Sequence, residues 1–133
     1  MKKILITGAG GFIGRNLVYE LSVDKKNLVY ALDDNSRGSL EKIVKKKNVI
    51  KKNIDVTNFN KLEKLIKNIN FDICYHLAAV NGTKNFFNIT EKVLEVGVQG
   101  TSNIIKLIKK YKVKKFFFLF IFRSISKTNK NPH

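Results

Sequence analysis

A chain of 133 residues, 44% of them hydrophobic, carries enough apolar material for one domain with its own core, or for one part of a larger domain. Its longest apolar run, Phe116 to Phe122, is far short of the roughly 20 residues a helix needs to cross a bilayer, so no membrane span is expected. The formal net charge of +16 invites a polyanionic partner, but only three of the 26 basic residues are arginine and the lysines cluster without interleaved aromatic rings. That pattern reads as solvated surface, with a basic nucleic-acid-binding domain as the lesser alternative.

The start of the chain is broken by glycines and has no small-residue cleavage site, so it reads as mature structure and a cytoplasmic location is expected. The run Lys3 to Thr7 is a short β-rich segment, and Gly11 to Ser22 then sets Ile13, Leu17, Val18 and Leu21 at helical spacing. Asn27 to Asp33 reads as a second strand followed by a loop. Leu40 to Lys46 suggests a short helix, and the stretch from Asn48 to Asp55 a third strand. In the next segment Phe59, Leu62, Leu65, Ile66 and Ile69 form one helical stripe, with Asn58 placed to cap its start. Asp72 to Ala79 reads as a fourth, buried strand containing Cys74. As the only cysteine, Cys74 has no partner for a disulfide or metal cluster, so it is expected to be a buried thiol and no metal site is expected. From Thr90 to Tyr111, residues Val93, Leu94, Val98, Ile104, Ile105 and Ile108 fit one long helix, and Lys114 to Leu119 begins a fifth strand. Strands alternating with helices imply a parallel sheet.

The most informative stretch is TGAGGFIG, Thr7 to Gly14. It follows a strand, opens a helix, and is answered by Asp33, 19 residues after Gly14, at the end of the next strand. Gly8 permits the tight turn, Gly11 lets the backbone approach a pyrophosphate, and Gly14 lets the helix pack close to the sheet. The helix start offers N–H groups and partial positive charge to phosphates. Gly8, Gly10, Gly11, Phe12, Ile13 and Gly14 are therefore candidate cofactor-binding residues, with Asp33 and its neighbour Asp34. A carboxylate at Asp33 accepts from ribose hydroxyls and repels a 2′-phosphate, which favours NAD. Arg37 nearby keeps NADP as the alternative. The fold class is α/β, a Rossmann-type doubly wound parallel sheet, truncated after about five strands.

The G-x-x-G-x-x-G spacing after a threonine resembles the extended short-chain dehydrogenase/reductase family, in particular its NAD-dependent sugar-nucleotide epimerases and dehydratases. The resemblance runs from Lys2 to about Leu119. It implies that Asp55 and Val56 meet the adenine, and that Leu77, Ala78 and Ala79 lie along the nicotinamide half. His76 is expected to be a packed strand residue rather than a base. Gly97 departs from the family, which usually has asparagine there. The resemblance also implies a nucleotide-sugar substrate in a full-length parent, which could be a homodimer. Which sugar, and whether the parent is an epimerase, dehydratase, decarboxylase or reductase, is not legible.

The family's fifth strand runs into a serine-rich motif and later a Tyr-x-x-x-Lys pair, in which tyrosine is the acid/base and lysine lowers its pKa. Here the strand continues as FIFRSISKTNKNPH. No such pair follows, and the chain is expected to lack it, leaving no catalytic residue. Codons permitted by Phe120 onward, read one base later, encode Ser-Ser-Ser-Glu-Val-Tyr, which suggests a frame change near Leu119. The expected layout is thus an incomplete NAD-binding domain at 1–119 and an out-of-family tail at 120–133, catalytically incompetent and prone to aggregate through its Phe-rich edge. The alternative is a stand-alone, non-catalytic dinucleotide-binding module.

Overall fold

The computed structural model describes residues 1–36, 38–78, 91 and 95–119. Five parallel strands form one sheet: β1 (Lys2–Thr7), β2 (Asn27–Asp33), β3 (Val49–Asn53), β4 (Ile73–His76) and β5 (Lys115–Phe118), in the order β3-β2-β1-β4-β5. Helix α1 (Phe12–Val23) joins β1 to β2, α2 (Phe59–Lys67) lies between β3 and β4, and α3 (Thr101–Lys110) precedes β5. A 3-10 turn, Leu40–Lys42, stands where a short helix was expected.

Alternation within β1 decides which side chain serves which face. Ile4 and Ile6 pack with Val18 of α1, Val29, Ala31 and Ile43. Leu5 points the other way and packs with Leu62 and Ile66 of α2 and Ile104, Leu107 and Ile108 of α3. The chain steps outward from β1 to β3 with its connections on one face, then returns to β4 and steps the other way with α2 and α3 on the opposite face. Parallel crossovers of one hand require this change of face when the direction reverses. The reversal leaves a crevice between β1 and β4, beyond the C-terminal ends of the strands.

The expected stripe on α2 is the buried one: Leu62 and Ile66 are inaccessible or nearly so, and Asn58 Oδ1 accepts from the Lys61 N–H at 3.1 Å as the cap. Each such buried Leu or Ile stabilises by roughly 1.5–3 kcal/mol. The sheet edges differ. On β3, Lys52 is exposed, whereas β5 exposes Phe117 and Phe118, whose rings stack on Tyr75 and His76.

One expectation needs correction. The described part of the long helix is not uniformly α-helical, because Glu95–Gly100 form a π-helical turn before α3 begins. Each π turn takes up an extra residue, so the apolar phase slips across it. Val96 is buried and Val98, expected on the inner stripe, is 68% exposed. At the end of this turn Gly100 comes close to Val56, where a Cβ would lie 2.6 Å from Val56 Cγ2. Val93 and Leu94 lie outside the described residues.

Candidate functional site

At the crevice, β1 ends in Gly8 with φ +68°, a conformation that costs an L side chain energy, and a Cβ there would meet the Leu77 carbonyl carbon at 2.6 Å. The chain then turns into α1 with Gly11 at the N-cap, where no side chain satisfies the first N–H groups of the helix. Those donors face the crevice with the positive end of the helix dipole. Gly14 sits so close beneath the loop that a Cβ would be 2.2 Å from the Gly8 carbonyl oxygen.

Asp33, at the end of β2, is 8% exposed and braces this loop from the side. The Gly10 N–H donates to Asp33 Oδ2 at 2.9 Å, and the Asn35 N–H donates to Oδ1 at 2.9 Å. Each carboxylate oxygen can accept more than one hydrogen bond, so both retain capacity for a ligand hydroxyl. Asp34 Oδ1 accepts from the Ser36 N–H and hydroxyl at 3.0 and 2.6 Å. Asp55 Oδ1 accepts from the Thr57 N–H and hydroxyl at 2.9 and 2.8 Å, which fixes the turn after β3.

The cleft has a volume of about 420 Å³ and is lined by Gly8, Gly11, Phe12, Ile13 and Gly14 of the loop and α1, by Asp33, Asp34, Asp55 and Val56, and by Leu77 and Ala78 after β4. Gly10 stands behind the loop, with its Cβ position 2.7 Å from Ser39 N, and Ala79 and Arg37 lie outside the described residues. Sequence reasoning missed Leu32, Ser36, Gly38, Ile54, Val96 and Leu119, which complete the lining. Leu32 and Ile54 directly precede expected residues and could have been found from them. Gly38 could not: its role is tertiary, a close approach in which a Cβ would lie 2.3 Å from the Gly10 carbonyl carbon.

His76 does not face the cleft. It is 1% exposed, Nδ1 lies 2.6 Å from Thr7 Oγ1 and Nε2 lies 3.0 Å from Thr101 Oγ1. Burial pushes its pKa down to about 4 from the usual 6.5, so the ring is neutral near pH 7. The unfolded chain takes up that proton at the usual value and the folded chain resists it. His76 therefore adds a stability that is full above about pH 6.5 and drains as the pH falls towards 4, by about 3 kcal/mol in all. Urea midpoints for wild type and His76→Gln should converge over that window, and equal acid sensitivity of the two chains would refute the assignment. Cys74, fully buried, has its thiol pushed up to about 12 by desolvation and is chemically quiet. Among the described residues no group of three metal-ligating side chains occurs, and no helix is long and apolar enough to cross a membrane.

The Tyr-x-x-x-Lys spacing, expected to be missing, does occur once, at Tyr111 and Lys115, ahead of the fifth strand rather than after it. The fold puts it at the wrong place for the cleft. Lys115 opens β5 in register with Ile73, at the end of the sheet opposite the glycine loop. The Tyr111 hydroxyl donates to Glu63 Oε1 at 2.8 Å, a bond that raises its pKa above the ordinary value, the reverse of what an acid/base tyrosine needs. Lys110 pairs with the same carboxylate, so the trio fastens α2 to α3.

A five-stranded parallel sheet with a glycine-rich turn at its switch point defines the Rossmann class of α/β folds. Within it, the NAD dependent epimerase/dehydratase family matches residues 4–120, and the chain belongs to that family. Among its relatives, a dTDP-D-glucose 4,6-dehydratase of Dictyostelium discoideum is 32% identical over 127 residues, covering 90% of this chain and 29% of that protein. A UDP-glucose 4-epimerase of Pisum sativum is 27% identical over 126 residues, covering 88% and 36%. In structure, the UDP-glucose 4-epimerase of Thermus thermophilus in complex with NAD is similar with a TM-score of 0.77 at 25% identity, covering 86% of this chain and 36% of that one. The chain thus spans about a third of the length of the proteins it matches.

Proposed function

We propose that residues 1–119 form the NAD-binding part of a nucleotide-sugar epimerase or dehydratase, a protein that oxidises a sugar hydroxyl and works through a keto intermediate. The observation that carries the reading is the joining of the α1 start to Asp33: one N–H of the glycine loop is tied to the carboxylate that would receive the adenosine ribose. Bound NAD would supply the hydride acceptor. The chain's own residues would do the holding. The N–H groups at Phe12, Ile13 and Gly14 would hold the pyrophosphate, with Gly8, Gly10 and Gly11 shaping the approach. Asp33 would accept from the ribose, and Asp34 would add negative charge beside it. Asp55 and Val56 would border the adenine, and Leu77, Ala78 and Ala79 the nicotinamide half.

Substrate selection and proton transfer are not assigned to any residue of this chain, and the placement of Tyr111 and Lys115 supports that reading. The chain alone is then a cofactor holder without turnover, working in the cytoplasm. Its Phe117–Leu119 edge favours self-association. Calorimetric titration tests the proposal: NAD should bind at least about tenfold more tightly than NADP, a difference of ~1.4 kcal/mol. UDP-glucose and dTDP-glucose should remain unconverted. Preference for NADP, or conversion of either sugar nucleotide, would contradict it.

A further inference from the structure

We infer that His76 is a positioning residue for the cleft, held as the Nε2–H tautomer in a one-directional chain of hydrogen bonds from Thr7 through His76 to Thr101. The direction follows from counting donors. Thr7 Oγ1 accepts from the Ala78 N–H at 3.3 Å and shares the Leu77 N–H, at 3.2 Å, with the Thr7 backbone carbonyl, so among the described residues His76 Nδ1 is the one contact able to accept the Thr7 hydroxyl proton. That proton is then what fills the 2.6 Å contact to Nδ1, so Nδ1 accepts. The ring proton sits on Nε2 and is donated to Thr101 Oγ1 at 3.0 Å. With the proton on Nδ1 instead, the buried Thr7 hydroxyl would keep a proton with no acceptor among these contacts. Thr7 is fully buried and His76 nearly so, and among the described residues no buried side-chain polar atom lacks a partner. A mispointed member would therefore leave a buried group unsatisfied.

The chain of bonds ends at the first residue of α3, and that helix start also holds the other wall of the cleft. Gly100 packs against Val56, and Asn103 Nδ2 donates to the Val56 and Thr57 carbonyls at 3.0 and 3.2 Å. The Leu77–Ala78 backbone on one side and the Asp55–Val56 turn on the other are thereby set from one point. Thr101 itself does not line the cleft. Its effect on a bound dinucleotide passes through the neighbours it holds, and the Leu77 and Ala78 amides report the branch through His76; to that extent the inference rests on the proposed function.

The test uses the whole chain carrying His133→Gln, which leaves His76 as its single imidazole. Nitrogen NMR of the ring near neutral pH should show a protonated Nε2 and a bare, accepting Nδ1. Thr101→Val, which keeps the shape and removes the acceptor, should lower NAD affinity about tenfold, and Thr101→Ser should restore it to within about twofold. In the valine variant the Leu77 and Ala78 amides should also exchange faster with solvent. An Nδ1–H tautomer in the parent chain overturns the inference. So does a valine variant that melts earlier yet keeps its amide protection and, once folded, its NAD affinity. If the parent chain binds no NAD, the dinucleotide reading fails while tautomer and amide exchange still decide the relay.

Discussion

Gly11→Ala and Gly14→Ala, at the N-cap and in the first turn of α1, should fail in opposite ways. At Gly14 a methyl group would be driven to 2.2 Å from the Gly8 carbonyl oxygen and 2.7 Å from Ala9 Cα. Both obstacles are backbone, so neither can swing aside and α1 must back away from the sheet. Its buried Val18 would then lose contact with Ile4 and Ile6. Overpacking of a core typically costs about 1–3 kcal/mol, and a backbone clash belongs at the upper end, a large share of the roughly 5–15 kcal/mol that holds a domain together. At Gly11 the added methyl meets only the Gly8 oxygen at 3.5 Å, ordinary van der Waals contact, with φ at −75°. Gly11→Ala should cost no more than about 1 kcal/mol, the usual penalty of alanine at an N-cap, yet place a methyl where a pyrophosphate approaches the helix start. Its NAD affinity should fall about a hundredfold or more, the loss expected when charge-assisted contacts are blocked. Urea denaturation and calorimetry on the two variants separate the effects. Equal loss of stability in both would refute the assignment of separate roles. Gly97→Ala is the control, since nothing lies within 4 Å of its Cβ position.

Asp33→Asn should weaken NAD binding by about 10- to 100-fold, the value of one or two hydrogen bonds to a charged group. It should also narrow the preference for NAD over NADP, because the repulsion of a 2′-phosphate goes with the charge. The amide oxygen can still accept from the Gly10 N–H across the 2.9 Å contact, so the glycine loop keeps its brace, while the amide nitrogen, a donor, gives up the bond from the Asn35 N–H. Asp33→Ala removes the brace as well and leaves a buried N–H without a partner, at a further cost of about 1–3 kcal/mol in stability. Titration of both variants with the two cofactors checks this. An asparagine variant with unchanged selectivity would mean that another group reads the ribose.

How much of this was legible beforehand depended on whether the determining contacts are local. The strand, glycine turn and helix from Lys2 to Val23 are written in neighbouring residues, and Asn58 announces the start of α2 by the same local chemistry. Asp33 was legible because a parallel neighbour strand brings its end beside the loop, with Thr7 in register with Leu32. The π-helical turn was not, because periodicity arguments assume 3.6 residues per turn and nothing in the neighbouring residues marks the slip. The approach of Gly38 to Gly10 and the bond from Thr101 to His76 join segments far apart in the chain. Tyr111 and Lys115 show the converse: a motif spacing alone says nothing about which end of the sheet it occupies.

The claim that the crevice between β1 and β4 is a dinucleotide site is tested most directly by mapping backbone amide shifts while NAD is added to the intact chain. The account predicts that the amides of Gly8 to Gly14, Asp33, Asp34, Asp55, Val56, Leu77 and Ala78 move together with one affinity, while Asp24 to Asn27 and Lys112 to Lys115 at the opposite end stay still. Shifts confined to the lysine-rich end, or none at the glycine loop under saturating NAD, would contradict it.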